Sequence, residues 1–250
     1  MFQSIKRVVT LVGVVALLAM TAVVASAQQT TGSVSMSAAV SNYVELVSGG
    51  AVTLSGNSGG SVVTDGTVNS PLAVVVDMGE LGPANTNSFV KLSVPLKLRT
   101  NVSYQLKMSG SVSGAGATTY SLKNTDVGFG MDPSARPSNL ASGTETNDTP
   151  GDPTVGGSTD ANGRWVFAGS NSTLGDFSSA AEVLSGPRVN KTTPKSNSAG
   201  LVVPAIFTIK PQFYDPAAAI TISAIFTIKP QFYDPAAAIT ISANFTISAP

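Results

Sequence analysis

Ala205 to Ser223 reads AIFTIKPQFYDPAAAITIS, and Ala224 to Ser242 repeats the same nineteen letters. A third start, Ala243-Asn244-Phe245-Thr246-Ile247-Ser248, follows at once. A verbatim run of this length is a duplicated structural unit, and the unit decomposes into strand, turn and strand. From Ile220 to Lys229 the residues alternate, with Ile220, Ile222, Ala224, Phe226 and Ile228 on one face. Thr221, Ser223, Ile225, Thr227 and Lys229 occupy the other. The pattern recurs with Ile239, Ile241, Ala243, Phe245 and Ile247 against Thr240, Ser242, Asn244, Thr246 and Ser248. A period of two is the mark of a half-buried strand, since successive side chains point to opposite faces. Two copies are too few for a solenoid, and the upstream chain lacks the period. The expectation is one additional edge strand, on which Ile225 would be an exposed liability unless a neighbour covers it.

The upstream chain offers further strands for such a unit to join. Val34, Met36, Ala38 and Val40 alternate with Ser35, Ser37 and Ala39 over Gly32–Val40. Val44-Glu45-Leu46 and Val52-Thr53-Leu54 follow, separated by the turn Ser48-Gly49-Gly50. Leu72–Val76 is a continuous apolar run, expected of a strand covered on both faces. Val90, Leu92, Val94, Leu96 and Leu98 alternate with Lys91, Ser93, Pro95 and Lys97. After Thr100-Asn101, Val102, Tyr104, Leu106 and Met108 do the same, which reads as a β-hairpin. Pro95 cannot donate to a ladder and so suggests an edge or a bulge. Weaker strands are expected at Thr118–Leu122 and Val127–Met131, and one helical turn at Ser178–Leu184. Residues 132–163 are rich in Gly, Ser and Asp and read as one long exposed loop that cannot bury enough surface to order itself. Arg164-Trp165-Val166-Phe167 restarts the fold. The fold class that follows is all-β: an antiparallel β-sandwich, one domain over residues 28–250.

Residues 1–27 have the form of a cleaved secretory signal: Lys6 and Arg7, a mostly apolar Val8–Val24, then Ala25-Ser26-Ala27. After cleavage no membrane span is expected, and the chain is expected to be secreted, extracellular or at the cell surface. Cleavage leaves 12 basic and 14 acidic residues of the 14 and 14 in the whole chain. Without a basic stripe, nucleic acid is not an expected partner. The chain has no cysteine and no histidine, which excludes disulfides, histidine-based triads and the usual catalytic zinc sites.

Candidate chemistry is sparse. Asp148, Asp152, Asp160 and Asn162 are oxygen ligands of a kind calcium accepts, but their spacing matches neither an EF-hand nor a nonapeptide calcium repeat, and a solvated loop is the plainer reading. Asp65, Asp77 and Glu80 are carboxylates without a motif that pairs them for hydrolysis. Tyr43, Trp165, Tyr214 and Tyr233 are candidates for stacking on sugars, against an ordinary place at the core edge. Asn-x-Ser/Thr sequons stand at Asn101, Asn147, Asn171, Asn190 and Asn244. No enzyme, cofactor or metal site is expected.

Asp77-Met78-Gly79-Glu80-Leu81, the Val90–Leu98 strand and Tyr104-Gln105-Leu106-Lys107-Met108-Ser109-Gly110 resemble the middle of secreted bacterial pilin-like and spore-coat-U-like domains, over residues 77–110. The resemblance implies an Ig-like sandwich, an extracellular structural role and assembly by strand donation. The expected function is a cell-surface or filament subunit that self-associates into a homopolymer or joins other surface proteins. The candidate strand-donation residues are Val34, Met36 and Val40, or Ile220, Ile222, Phe226 and Ile228, or Ile239, Ile241, Phe245 and Ile247. The alternative is a carbohydrate-binding or adhesive module with a glycan as partner.

Overall fold

The structure is a computed structural model that describes residues 43–56, 59–68, 70–79, 81, 88–134, 136–138, 140–189, 200–215, 219–230 and 239–248. Every described residue belongs to one compact unit, Ser41–Pro250. The 1–27 signal and the Gly32–Val40 strand lie outside the described residues.

Fourteen strands are described. They are β1 (Val44–Ser48), β2 (Thr53–Ser55), β3 (Gly59–Thr64), β4 (Val75–Gly79), β5 (Val90–Thr100), β6 (Tyr104–Ser113) and β7 (Val127–Met131). The others are β8 (Thr146–Asn147), β9 (Gly157–Thr159), β10 (Trp165–Phe167), β11 (Ala181–Gly186), β12 (Leu201–Ile209), β13 (Ala219–Pro230) and β14 (Ile239–Ser248). The smaller main sheet runs β1-β5-β12-β7, with β2 continuing the β1 edge of β5. The larger runs β3-β4-β14-β13-β6-β11-β8, and β9-β10 is a separate ribbon. The two main sheets face each other across one apolar core, in which Phe129 of β7 and Phe226 of β13 stand 6.2 Å apart. This is an all-β sandwich. Every described pairing is antiparallel except that of β14 with β4.

Alternation places Val90, Leu92, Val94, Leu96 and Leu98 inward from one sheet, and Tyr104, Leu106 and Met108 inward from the other. The two runs are therefore not the expected hairpin: β5 and β6 belong to opposite sheets. Alternation reports which face is buried, not which strand is the partner, so both arrangements satisfy it. The crossing is fixed by the Val102 amide donating to Thr100 Oγ1 (3.0 Å) and the Tyr43 amide to Asn101 Oδ1 (2.7 Å).

Pro95 is not on an edge either; β5 is paired on both sides. Pro95 lies directly opposite Pro204 of β12. The Pro95 carbonyl accepts from Gly49 (2.8 Å), and that of Pro204 from Asp132 (3.0 Å). A residue's N and O project to the same side of a strand, so each proline turns its missing donor away from the other. Pro95 faces the break between β1 and β2. Gly49 is needed there: an added Cβ would lie 2.9 Å from Val202 Cγ1 and 3.1 Å from the Pro95 carbonyl.

Three other expectations are corrected. Residues 132–163 are not simply solvated: β8 joins the larger sheet, β9 pairs β10, and Leu140, Ala141 and Thr149 are buried. The Arg136 and Glu145 side chains, 6% and 5% exposed, pair beneath this segment, with Nε–Oε1 at 2.9 Å. Arg136 also donates to the carbonyls of Ala141, Pro187 and Arg188, and Tyr104 to Glu145. An ion pair of this kind, nine residues apart in the chain, leaves no trace in composition. The helical turn falls earlier, as a 3-10 turn at Leu174–Phe177, because Val183 and Leu184 are needed in β11. Thr118–Leu122 forms no strand.

Candidate functional site

The duplication contributes strands to both main sheets. The AIFTI of the first copy (205–209) is the second half of β12, in the smaller sheet. The AIFTI of the second copy (224–228) lies in β13, in the larger sheet. Ile220, Ile222, Ala224, Phe226 and Ile228 are all buried, as their alternation requires. β13 is not an edge strand: β6 lies along one side over ten residue pairs and β14 along the other over ten. Ile225 is half-buried, between Ser109 of β6 and Ser242 of β14 in register, so the expected edge liability does not arise.

The β13–β14 register sets Ile239, Ile241, Ala243, Phe245 and Ile247 opposite Ile228, Phe226, Ala224, Ile222 and Ile220. Two of the three candidate donor groups are thus brought together as neighbouring strands. Val34, Met36 and Val40 lie outside the described residues. On its far side β14 meets β4 in parallel over only three pairs, Asn244 with Val75, Phe245 with Val76 and Thr246 with Asp77. The apolar wall that β4 contributes, Val76 and Met78, is fully buried. The Leu72–Val76 run is not the expected strand covered on both faces: the strand starts only at Val75, and Ala73 and Val75 are exposed while Leu72, Val74 and Val76 are buried. β14 therefore fills a seam in the larger sheet between a long antiparallel neighbour and a short parallel one. Parallel pairing is slightly weaker per residue.

The polar candidates are scattered and occupied. Asp152 salt-bridges Lys91 (2.6 Å) and accepts from the Thr154 amide and hydroxyl. Burial alone would raise its carboxyl, but those bonds outweigh it and hold the pKa below the ordinary value. Asp160 Oδ1 accepts from the Asn162 and Arg164 amides, Asp65 from Val52 and Asp77 from Gly79. Among the described residues no group of three acidic, His or Cys side chains could hold a metal. Glu80, Tyr233 and Asn190 lie outside the described residues. The Asn147 amide donates to the Met131 carbonyl, and that of Asn171 to Val155 and Gly156. Tyr43 is pushed up to about 12 by burial and by the neighbouring Glu45. Burial likewise raises Tyr214, with Asp126 adding to it.

Trp165 stands in an aromatic group with Phe89 (5.0 Å) and Phe167 (4.7 Å), and Lys210 Nζ lies 5.1 Å from the Phe89 ring centre. Gln212, in the first repeat copy, clips this group like a short strand: it accepts from the Trp165 amide and donates to the Trp165 carbonyl. Phe167 leans over Gly128, where an added Cβ would lie 2.5 Å from its ring. A shallow groove of about 440 Å³ runs beside it, lined by Thr125, Ser170, Asn171 and Asp176 among others. No described helix is long and apolar enough to cross a membrane.

Fold and seam define an all-β sandwich with a strand inserted in its larger sheet. No family model matches the chain, and no curated protein matches it either. Among solved structures, the CooA pilin subunit from enterotoxigenic Escherichia coli is similar at 11% identity and TM-score 0.31, over 80% of this chain and 99% of that one. A family 123 glycoside hydrolase from Clostridium perfringens is similar at 11% identity and TM-score 0.25, over 63% of this chain and 21% of that one.

Proposed function

We propose that this protein is a secreted structural subunit that self-associates at the cell surface or in a filament by strand addition. The observation that carries the reading is the seam: one ten-residue strand is received between β13 and β4, on one side in parallel. Strand addition draws affinity from main-chain hydrogen bonds and specificity from alternate side chains entering a groove. The seam has both components, since β13 and β4 offer backbone partners and their buried Ile222, Phe226, Val76 and Met78 form an apolar floor. Gel filtration and electron microscopy of the chain lacking residues 1–27 test this. Concentration-dependent oligomers or fibres are expected, and a strict monomer at high concentration overturns the reading.

The second reading is a glycan-binding module, favoured by the hydroxyl- and amide-lined groove beside Phe167. Sugars use both an aromatic face and convergent polar groups. Removal of residues 132–163 is not a clean test of this reading, because Arg136 and Glu145 of that segment are built into the core edge. Ser170→Trp, at an exposed position of the groove, is cleaner. Glycan-array binding that disappears in this variant supports the second reading over the first.

A further inference from the structure

We propose that β14 is exchanged between copies of this chain, so that the seam of one sandwich is filled by β14 of a second copy. The inference deepens the self-association reading and rests on it. Its source is the symmetry of the β13–β14 register. Ala224 opens the second repeat copy and Ala243 the third start, so they are the same position of the repeat, and they are directly paired. Every other pair is then arranged about that point: Ile222 opposite Phe245, Phe226 opposite Ile241, Ile220 opposite Ile247, Ile228 opposite Ile239. The ladder is one sequence paired antiparallel with itself about a local two-fold.

A strand that accepts its own copy cannot distinguish the copy on its own chain from the copy on another. Reciprocal or serial exchange would keep every β14 backbone pairing, which is why exchange of an identical element is a low-cost route to assembly. β14 is the strand that exchange selects. β12 and β13 are paired along both sides over long antiparallel registers, whereas β14 leaves only three parallel pairs on β4. Pro230 and Ile239 bound an eight-residue connection, residues 231–238. At about 3.3 Å per residue eight residues reach at most roughly 26 Å when extended. A sandwich without β14 leaves the facing edges of β13 and β4 without their strand partner, so the exchange is set while the chain folds.

The absence of cysteine makes the test direct. Ser223 and Asn244 are a cross-strand pair on the outward set. The full chain carrying Ser223→Cys and Asn244→Cys is refolded from denaturant at high concentration, sized by gel filtration, oxidised, and run on a denaturing non-reducing gel. A short bis-maleimide replaces oxidation if free thiols persist. Exchange predicts oligomers in solution and covalent dimers or a ladder on the gel. Oligomers whose subunits run as cross-linked monomers overturn the exchange and leave the self-association reading standing. A monomer by both measures overturns both.

Discussion

Phe207 and Phe226, the same position in the two repeat copies, meet across the core with ring centres 6.4 Å apart and planes at 74°. One copy places its phenylalanine in β12 and the other in β13, so the duplication supplies both walls of one contact. Phe129 touches both rings, at 5.2 and 6.2 Å.

This geometry predicts non-additive losses. Phe207→Ala and Phe226→Ala should each destabilise by about 3–5 kcal/mol, since both are fully buried. The double variant should lose less than the sum, by about 0.5–1.5 kcal/mol for the edge-to-face pair. Urea unfolding of the four proteins measures the coupling; strict additivity would show that the rings do not interact.

How far the sequence carried the fold is visible in the same five letters. Alternation located β5, β6 and β13 and assigned their inward faces, because period two reports burial directly. It did not assign partners, so β5 and β6 read as a hairpin although they lie in opposite sheets. In β13 the AIFTI segment is half-buried, with Ile225 and Thr227 partly exposed. In β12 the same letters are buried on both faces, Ile206 and Thr208 included. The difference comes from β12's surroundings, which five local letters do not encode. Of the seam, the β13 and β14 halves were legible as matching strands. The β4 half was not, because three parallel pairs leave no pattern.

Glu145→Gln should free residues 137–144 from the core edge. It leaves the Arg136 guanidinium buried without its counter-charge, and breaking a buried pair from one side costs about 3–5 kcal/mol. Limited proteolysis should cut this segment faster than in the wild type. Arg136→Met with Glu145→Leu, which removes both charges, should recover most of the lost stability.

Asp126 gives a pH dependence of defined sign. Burial raises its carboxyl above the ordinary range, against the bonds from Lys123 and Arg164 that lower it. Between the ordinary carboxylate value and the raised one, the folded state binds more proton than the unfolded state, so its stability falls as pH rises through that window. Wild type should therefore lose stability relative to Asp126→Asn on going from acid toward neutral pH. Urea midpoints of both proteins across a pH series measure this. A relative gain with rising pH would mean that the Arg164 pairing outweighs burial.

Asn244 is one of two places where the third start departs from the repeat, the other being Ser248 in place of lysine; a faithful copy would place isoleucine at 244, as at Ile225. In register, Ile225 stands between two serines, Ser109 and Ser242, whereas position 244 stands between Ser223 and Val75. Val75 is 38% exposed, and Val63 of the neighbouring β3 is 64% exposed. An isoleucine at 244 would join these valines into a larger apolar patch beside β3, the outermost strand on that side of the larger sheet, and such patches invite association. Asn244→Ile should raise the fluorescence of an apolar dye bound to the folded protein. Its unfolding free energy should stay within about 0.5 kcal/mol of wild type, as for other surface substitutions. Unchanged dye binding would show that the departure from the repeat has no part in keeping this face polar.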